Sequence, residues 1–230
     1  AGSNPFKIQT LGKGEIFNGS LSAGSAGSEN SDGSLSSGSA DNIRWEISNV
    51  SVKKGTFTLS VRRGDDNNKN KIVLETFNNL SLDPNSDNFI SKVIGDQLLS
   101  KESDSDGVIY LGVSGSYPNK SNFIRVSEVN SPTYNYFLND GVSVGTDAGG
   151  ASYSASLPVN SSGSFFGAVG TNIVPGANYF GSIQGTTEQS QGLVNSDYND
   201  AITLLENKDE FNFNIISVPG LTQAAHGSTI

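Results

Sequence analysis

Few residues in this chain could do chemistry. Its single histidine, His226, lies in a glycine-rich context near the end of the sequence, where a plain surface role is more typical than a catalytic one. There is no cysteine, so thiolate nucleophiles, thiolate metal ligands and disulfides are excluded together. The P-loop and the zinc motif H-E-x-x-H do not occur. The sequence therefore predicts no catalytic, cofactor-binding or metal-binding residues, and we do not expect an enzyme.

Carboxylates are the remaining candidates for chemistry. Cross-strand pairs could serve a glycosidase, but the sequence identifies no such pair. Glu102, Asp104 and Asp106 alternate before Gly107, which resembles the first half of a calcium-binding EF-hand loop. The second half fails, because Val113 stands where the bidentate glutamate should be and a strand is predicted to follow. A hairpin turn therefore explains this run better than a calcium site.

Three kinds of recognition signal have simpler explanations. Arg63-Gly64-Asp65 spells a tripeptide that some cell-surface receptors bind, but it falls in a predicted hairpin tip rich in turn-forming residues. Aromatic residues scattered between Tyr134 and Phe180 could stack on sugars or bases, although core anchors beneath long loops are more typical. Glycosylation sequons, expected by chance in a chain rich in Asn and Ser, occur at Asn18, Asn49, Asn79, Asn119 and Asn160.

Composition and charge narrow the class of protein. The 230 residues are 34% hydrophobic and 16% charged, and both shares are lower than in typical globular proteins. Gly, Ser, Asn and Thr are correspondingly frequent, and these residues favour turns and short strands over long helices. A formal net charge of −9 repels phosphate backbones, so we expect no nucleic-acid partner. No apolar run approaches the length of a membrane span, so we expect a soluble chain without membrane insertion. The absence of methionine, even at the first position, suggests a fragment of a longer polypeptide.

Alternation of apolar and polar residues predicts most of the secondary structure. A strand is expected to start within residues 6–17. Further strands are predicted at 43–52, 56–62, 72–77, 108–113 and 123–126. The strands at 56–62 and 72–77 should form a hairpin with a long polar tip. The stretch from 101 to 107 should be another polar turn.

Two helices and one long loop complete this prediction. Ser86 or Asp87 can cap a short helix near 86–98 that turns Phe89, Val93 and Leu98 inwards. A second helix should begin at Ser196 or Asp197 and lead into a buried strand at 211–220. The Gly/Ser-rich stretch at 18–42 contains almost no large apolar residues and is expected to be a mobile loop.

The predicted fold class is α+β and β-rich, with hairpins, a sandwich-like sheet, a few short helices and a C-terminal αβ unit. We expect a β-rich domain over residues 1–130, which contains the Gly/Ser loop and the helix near 86–98. A loop-rich β insertion should follow at 131–192. Residues 193–230 should form the αβ unit and lead into a following domain.

Two stretches together resemble phage tail sheath proteins. The first contains Gly55-Thr56-Phe57-Thr58-Leu59, Val73-Leu74-Glu75-Thr76-Phe77 and Asp83-Pro84, and it is similar to the family's succession of strand, hairpin, Asp-Pro turn and short helix. The second joins the helix over 197–205 to a strand that ends in Pro219-Gly220. The order of the two stretches, with a variable β-rich insertion between them, also suits the family.

The resemblance implies a structural function. Sheath subunits stack into a helical cylinder around the tail tube and contract, which drives the tube through the host envelope. The partners would be further copies of the chain, with tail tube and baseplate proteins contacting other regions. The location would be the virion, and the host cytoplasm during assembly. A cell-surface adhesin or carbohydrate-binding β-module remains the main alternative, and a hydrolase with cross-strand carboxylates remains a third. The adhesin interpretation predicts stabilisation by calcium or a glycan.

Overall fold

The computed structural model describes residues 4–12, 29–36, 38–165, 195–218 and 221. Among these residues strands predominate over three short helices, which confirms the predicted β-rich α+β class. The elements, in chain order, are β1 Phe6–Thr10, β2 Ile43–Ser51, β3 Thr56–Arg63, β4 Val73–Ser81, α1 Ile90–Ile94, β5 Leu98–Ser103, β6 Ile109–Ser114, β7 Ile124–Val129, α2 Tyr153–Ser156, β8 Ser161–Ser164 and α3 Asn195–Leu205.

All strand pairs in the described part of the chain are antiparallel and form three sheets. The largest has the order β4-β3-β2-β8, while β1 pairs with β7 and β5 pairs with β6. In the large sheet Trp45 pairs with Val61 and Ile47 with Leu59, so these four side chains share one face. The opposite face is polar. The predicted strands at 43–52, 56–62, 72–77, 108–113 and 123–126 are thereby confirmed, with small changes at their ends.

The core lies on the apolar face of the large sheet. Phe57, Leu59 and Val61 of β3 are at most 1% exposed, and the ring of Phe6 from β1 stacks on Phe57 with 5.4 Å between ring centroids. Helix α1 packs against β4 and β7 and buries Ile90 and Ile94 completely. The core is thus enclosed by the large sheet, the β1–β7 ribbon and α1, which agrees with the predicted sandwich-like arrangement.

The helix predicted near 86–98 is shorter than expected. It begins after Phe89 and ends at Ile94, and the next residue, Gly95, has a φ of 107° that side-chain-bearing residues rarely adopt. The chain then turns into β5 at Leu98, which is 46% exposed and so does not face inwards as predicted. The polar turn predicted from 101 is also wrong at its start, because β5 continues to Ser103.

Part of the Gly/Ser-rich stretch at 18–42 contradicts the prediction of a mobile loop. Leu35 is only 6% exposed, and Glu29 and Leu35 form an isolated bridge. The backbone N–H of Asn68 donates a hydrogen bond of 3.1 Å to the backbone carbonyl oxygen of Asp32. Residues 29–36 are therefore packed on the domain, because one buried leucine and several polar contacts compensate for the poor local composition. Residues 18–28 lie outside the described residues.

The described part of the predicted insertion at 131–192 shares the core of the preceding domain. Tyr136, Tyr153, Leu157 and Phe165 are buried in the same hydrophobic cluster as β3, and β8 is an edge strand of the large sheet. The boundary at residue 130 therefore does not separate two cores among the residues described. Residues 166–192 lie outside that description.

The C-terminal αβ unit is confirmed only in its helix. Helix α3 spans Asn195–Leu205, but residues 211–218 pair with no strand in the described structure. Instead of being buried, Ile215 is 86% exposed. An extended segment becomes a strand only when another strand accepts its hydrogen bonds, and none of the described strands does so. None of the described helices is long and apolar enough to cross a membrane.

Candidate interaction surfaces

The polar face of the large sheet carries a buried ion cluster. Arg44 of β2 and Arg62 of β3 are cross-strand neighbours, and both are completely buried. Asp66 lies between them: its carboxylate is 2.7 Å and 2.8 Å from Nε and Nη2 of Arg62, and 3.3 Å from Nη1 of Arg44. It also accepts the backbone N–H of Ile72 at 2.9 Å. Asp66 therefore lies between two arginines that would otherwise repel each other, and its charge offsets part of theirs inside the protein.

More exposed carboxylates complete this cluster at its rim. Glu29 accepts hydrogen bonds from Arg44 and from the hydroxyl of Ser162, which attaches residues 29–36 to the sheet. Glu46 lies 2.8 Å from Arg62 Nη1 and 2.6 Å from Lys71 Nζ. Partial burial opposes ionisation of Glu46, but hydrogen bonds and charge from Lys71 and Arg62 outweigh it and lower its pKa. The cluster has a structural role, since it locks the tip of the β3–β4 hairpin.

The lowered pKa of Glu46 predicts acid sensitivity. A carboxylate with a depressed pKa stabilises the fold above its ordinary pKa, and this contribution disappears as the pH falls through the folded-state value. We therefore expect Glu46→Gln to be less stable than the natural chain at neutral pH, with the difference shrinking as the pH falls below the ordinary pKa of a glutamate. Urea unfolding at several pH values measures this. Glu128→Gln is the control, because Glu128 pairs with Lys7 on the surface. A Glu46→Gln deficit that does not change with pH would contradict the assignment.

One serine matches the spacing of a nucleophile elbow, G-x-S-x-G, at Gly141-Val142-Ser143-Val144-Gly145. The fold does not support that role. Val144 forms an isolated bridge with Phe137, and the Ser143 hydroxyl donates to Asp140, so the serine lies in a loop and not between a strand and a helix. His226 lies outside the described residues. Within those residues, no three His, Asp or Glu side chains are grouped closely enough to hold a metal ion.

The acidic run before Gly107 forms the turn of the β5–β6 hairpin, as predicted. Asp104 accepts backbone N–H groups from Asp106 at 2.9 Å and from Val108 at 2.8 Å, and Gly107 has a φ of 81°. In the tripeptide at the β3–β4 tip, the guanidinium of Arg63 is paired with the carboxylate of Asp65. Both motifs are therefore accounted for by turn structure.

Most described aromatic residues of the predicted 134–180 group are core anchors. Tyr136, Tyr153 and Phe165 are buried, and the Tyr136 hydroxyl donates to the carbonyl oxygen of Val52 at 2.8 Å. Tyr134 is the exception at 54% exposed. Phe166, Tyr179 and Phe180 lie outside the described residues. A continuous aromatic platform for sugars or bases is not formed by the residues described.

The β5–β6 hairpin exposes large apolar side chains. Register places Leu99, Leu111 and Val113 on one face together with Lys101, and these three apolar residues are 60%, 43% and 54% exposed. The opposite face is mixed: it carries Ser100, Glu102, Gly112 and Ser114 together with the exposed side chains of Leu98 and Tyr110. A two-stranded ribbon of this kind is marginally stable alone and offers two unpaired edges.

Helix α3 is attached to this hairpin and leads into a second exposed apolar element. Asp200 pairs with Lys101, and the side-chain amide of Asn207 donates to the carbonyl oxygen of Ile109 at 3.1 Å. Beyond the helix, Phe213 and Ile216 are 45% and 43% exposed. A groove of about 760 Å³ lies between α3 and this segment.

The sequence alone does not reveal which residues form these surfaces. The signal in the hairpin was the short apolar run from Val108 to Val113, which predicts a strand but does not say whether the strand is covered. Searches of protein-family models, curated proteins and solved structures found no match to this chain. The interpretation of the surfaces therefore rests on their own geometry.

Proposed function

We propose that this chain is a structural segment of a contractile phage tail sheath subunit. The subunit polymerises around the tail tube and contracts to drive the tube through the host envelope. Its partners are further copies of itself, while tail tube and baseplate proteins contact other regions. It is assembled in the host cytoplasm and functions in the virion. The two stretches that resemble sheath proteins suggest this function, and its role is structural, not catalytic.

The observation that carries the proposal is the exposure of large apolar side chains on the β5–β6 hairpin and along residues 211–218. Exposed apolar patches mark interaction sites in soluble proteins more often than chance positions do. The two elements differ from each other, so a contact between them across two copies is heterologous. Contacts of this type propagate into helical assemblies when they do not close into a ring.

Sedimentation velocity distinguishes this proposal from the adhesin alternative. We expect association that grows with protein concentration and with salt, because salt screens the repulsion between copies that each carry a formal charge of −9. Melting temperatures measured in parallel should not respond to calcium or to a glycan panel. A chain that stays monomeric at all salt concentrations, and that calcium or a glycan stabilises, would favour the binding-module alternative.

A further inference from the structure

The β5–β6 hairpin stands apart from the rest of the described fold. Its strands pair without a bulge from Leu98 opposite Ser114 to Ser103 opposite Ile109, and Asp104 closes the turn. Neither strand pairs with the large sheet or with the β1–β7 ribbon. Among the described elements, only helix α3 makes a substantial contact with the hairpin. The hairpin is therefore an arm that leaves a body formed by the large sheet, the β1–β7 ribbon and α1.

The base of this arm is held to the body by closely spaced contacts. Oδ1 of Asp96 accepts the backbone N–H groups of Ser116 at 2.8 Å and of Tyr117 at 2.7 Å. The carbonyl oxygen of Asp96 accepts a hydrogen bond of 3.1 Å from Nη1 of Arg125 on β7. The ring of Tyr117 packs edge-on against Phe89, with 6.3 Å between ring centroids. Asp96 thus ties the two ends of the hairpin to each other and to the body.

Two glycines make the base compact. Gly95 and Gly115, just before and just after the hairpin region, have φ values of 107° and 97°. A Cβ atom at residue 115 would lie 2.6 Å from the carbonyl oxygen of Asp96, and one at residue 95 would lie 2.3 Å from Cα of Asn119. Only glycine allows backbones to approach this closely. Packing and hydrogen bonds together leave the arm little freedom to turn at its base.

The contact between the arm and α3 is much weaker, and we call it the joint. Lys101 pairs with Asp200, but these side chains are 36% and 50% exposed. The side-chain amide of Asn207 adds one hydrogen bond of 3.1 Å to the carbonyl oxygen of Ile109. No side chain on the described part of α3 is buried. Exposed ion pairs contribute little because water and salt screen them.

We propose that the arm and the body move as one rigid unit, and that the joint is the hinge at which residues 195–218 change their orientation. Motion concentrates where few contacts connect two parts that are each internally held together. The body has a buried core and the base of the arm is compact, so the joint is the weakest connection along this path. The hinge does not require the sheath function, although a subunit with two packings would need such a device.

Distances between pairs of spin labels, measured by pulsed electron paramagnetic resonance, test the hinge. The chain has no cysteine of its own, so labels attach only where a cysteine is introduced. One variant combines Thr76→Cys on β4 with Asp106→Cys at the tip of the arm, and a second combines Thr76→Cys with Ala201→Cys on α3. All three positions are exposed. An excess of unlabelled chain suppresses distances between copies.

We expect a narrow distribution for the 76–106 distance and a broader one for the 76–201 distance. Lys101→Ala should lower the population with α3 docked on the arm by up to about fivefold, the effect of losing one exposed ion pair. The same change should leave the 76–106 distribution as it is. Lys7→Ala is the matched control, because it removes another exposed ion pair, with Glu128 on the β1–β7 ribbon, and should alter neither distance.

A 76–106 distribution as broad as the 76–201 distribution would place the motion at the base of the arm and overturn the hinge. Two equally narrow distributions that Lys101→Ala does not change would also overturn it, because α3 would then be fixed to the body. Both results are independent of whether the protein forms tubes in electron micrographs, so failure of the hinge and failure of the sheath function are distinguishable.

Discussion

Replacement of Asp66 by alanine is expected to lower the free energy of unfolding by about 3–5 kcal/mol, the range for breaking a buried ion pair. The carboxylate contacts Arg62 through two hydrogen bonds and Arg44 through one, and both arginines are completely buried. Without it, Arg44 and Arg62 face each other as buried like charges that keep only the rim carboxylates Glu29 and Glu46. A loss of this size is a large part of the roughly 5–15 kcal/mol that stabilises a typical domain.

Urea unfolding followed by circular dichroism measures this loss, and Asp65→Ala is the matched control. Asp65 is the neighbouring residue and also pairs with an arginine, Arg63. Both side chains of that pair are partly exposed. Exposed pairs of this kind contribute about 0–1 kcal/mol. If the two aspartate variants were equally stable, the account of the buried cluster as the lock of the hairpin tip would be refuted.

Leu59→Ala should have the second largest effect, a loss of about 2–5 kcal/mol, which is the range for truncating a fully buried leucine. Leu59 is 0% exposed at the centre of β3, between Ile47 of β2 and Phe77 of β4. The loss combines the lost burial of the side chain with the cavity that it leaves in a core bounded by β-strands that cannot easily move.

Leu99→Ala is the control for the same chemical change on the hairpin surface. Leu99 is 60% exposed, so its truncation should change the free energy of unfolding of the unassembled chain by no more than about 0.5 kcal/mol. The same urea titration compares the two leucines. Similar losses for both would mean that the β5–β6 hairpin is covered within a single copy, which contradicts its exposure.

Strands β2, β3 and β4 of the large sheet were predictable because burial of one face leaves a clear trace in the sequence, whereas β8 was not predicted. Phe57, Leu59 and Val61 alternate with polar residues, and a shift by one residue would move all three to the wrong side. Helix α1 was predicted correctly in kind but not in length. Its end depends on Gly95 and on the start of β5, and a periodicity argument does not reveal which residue along the chain begins to pair with a distant strand.

The ion cluster was not predicted, because its members are polar residues separated by long stretches of chain. Arg62 and Asp66 belong to a run that has the composition of an exposed turn. The structure pairs Arg44 with Arg62 across β2 and β3, where like charges are unfavourable unless an anion lies between them, but the predicted hairpin joined 56–62 to 72–77 and did not bring these two arginines together. Packing of residues 29–36 follows from the same cluster through Glu29.

The interaction surfaces were hidden for a different reason. A sequence pattern shows that Phe213 and Ile215 prefer a strand, but the presence of a pairing partner is a property of the assembled structure. Burial of 211–220 was therefore a reasonable prediction, and exposure of Ile215 at 86% is informative because it departs from that prediction. Departures of this kind are expected where a chain keeps a surface for a partner.

Negative-stain electron microscopy of the protein, expressed alone and then together with phage tail tube and baseplate proteins, tests the proposed sheath function most directly. We expect striated tubes or contracted cylinders, because a sheath subunit forms heterologous contacts that propagate into a helical assembly. Monodisperse particles under both conditions would contradict the sheath account and leave a ligand-binding β-module as the better explanation of this chain.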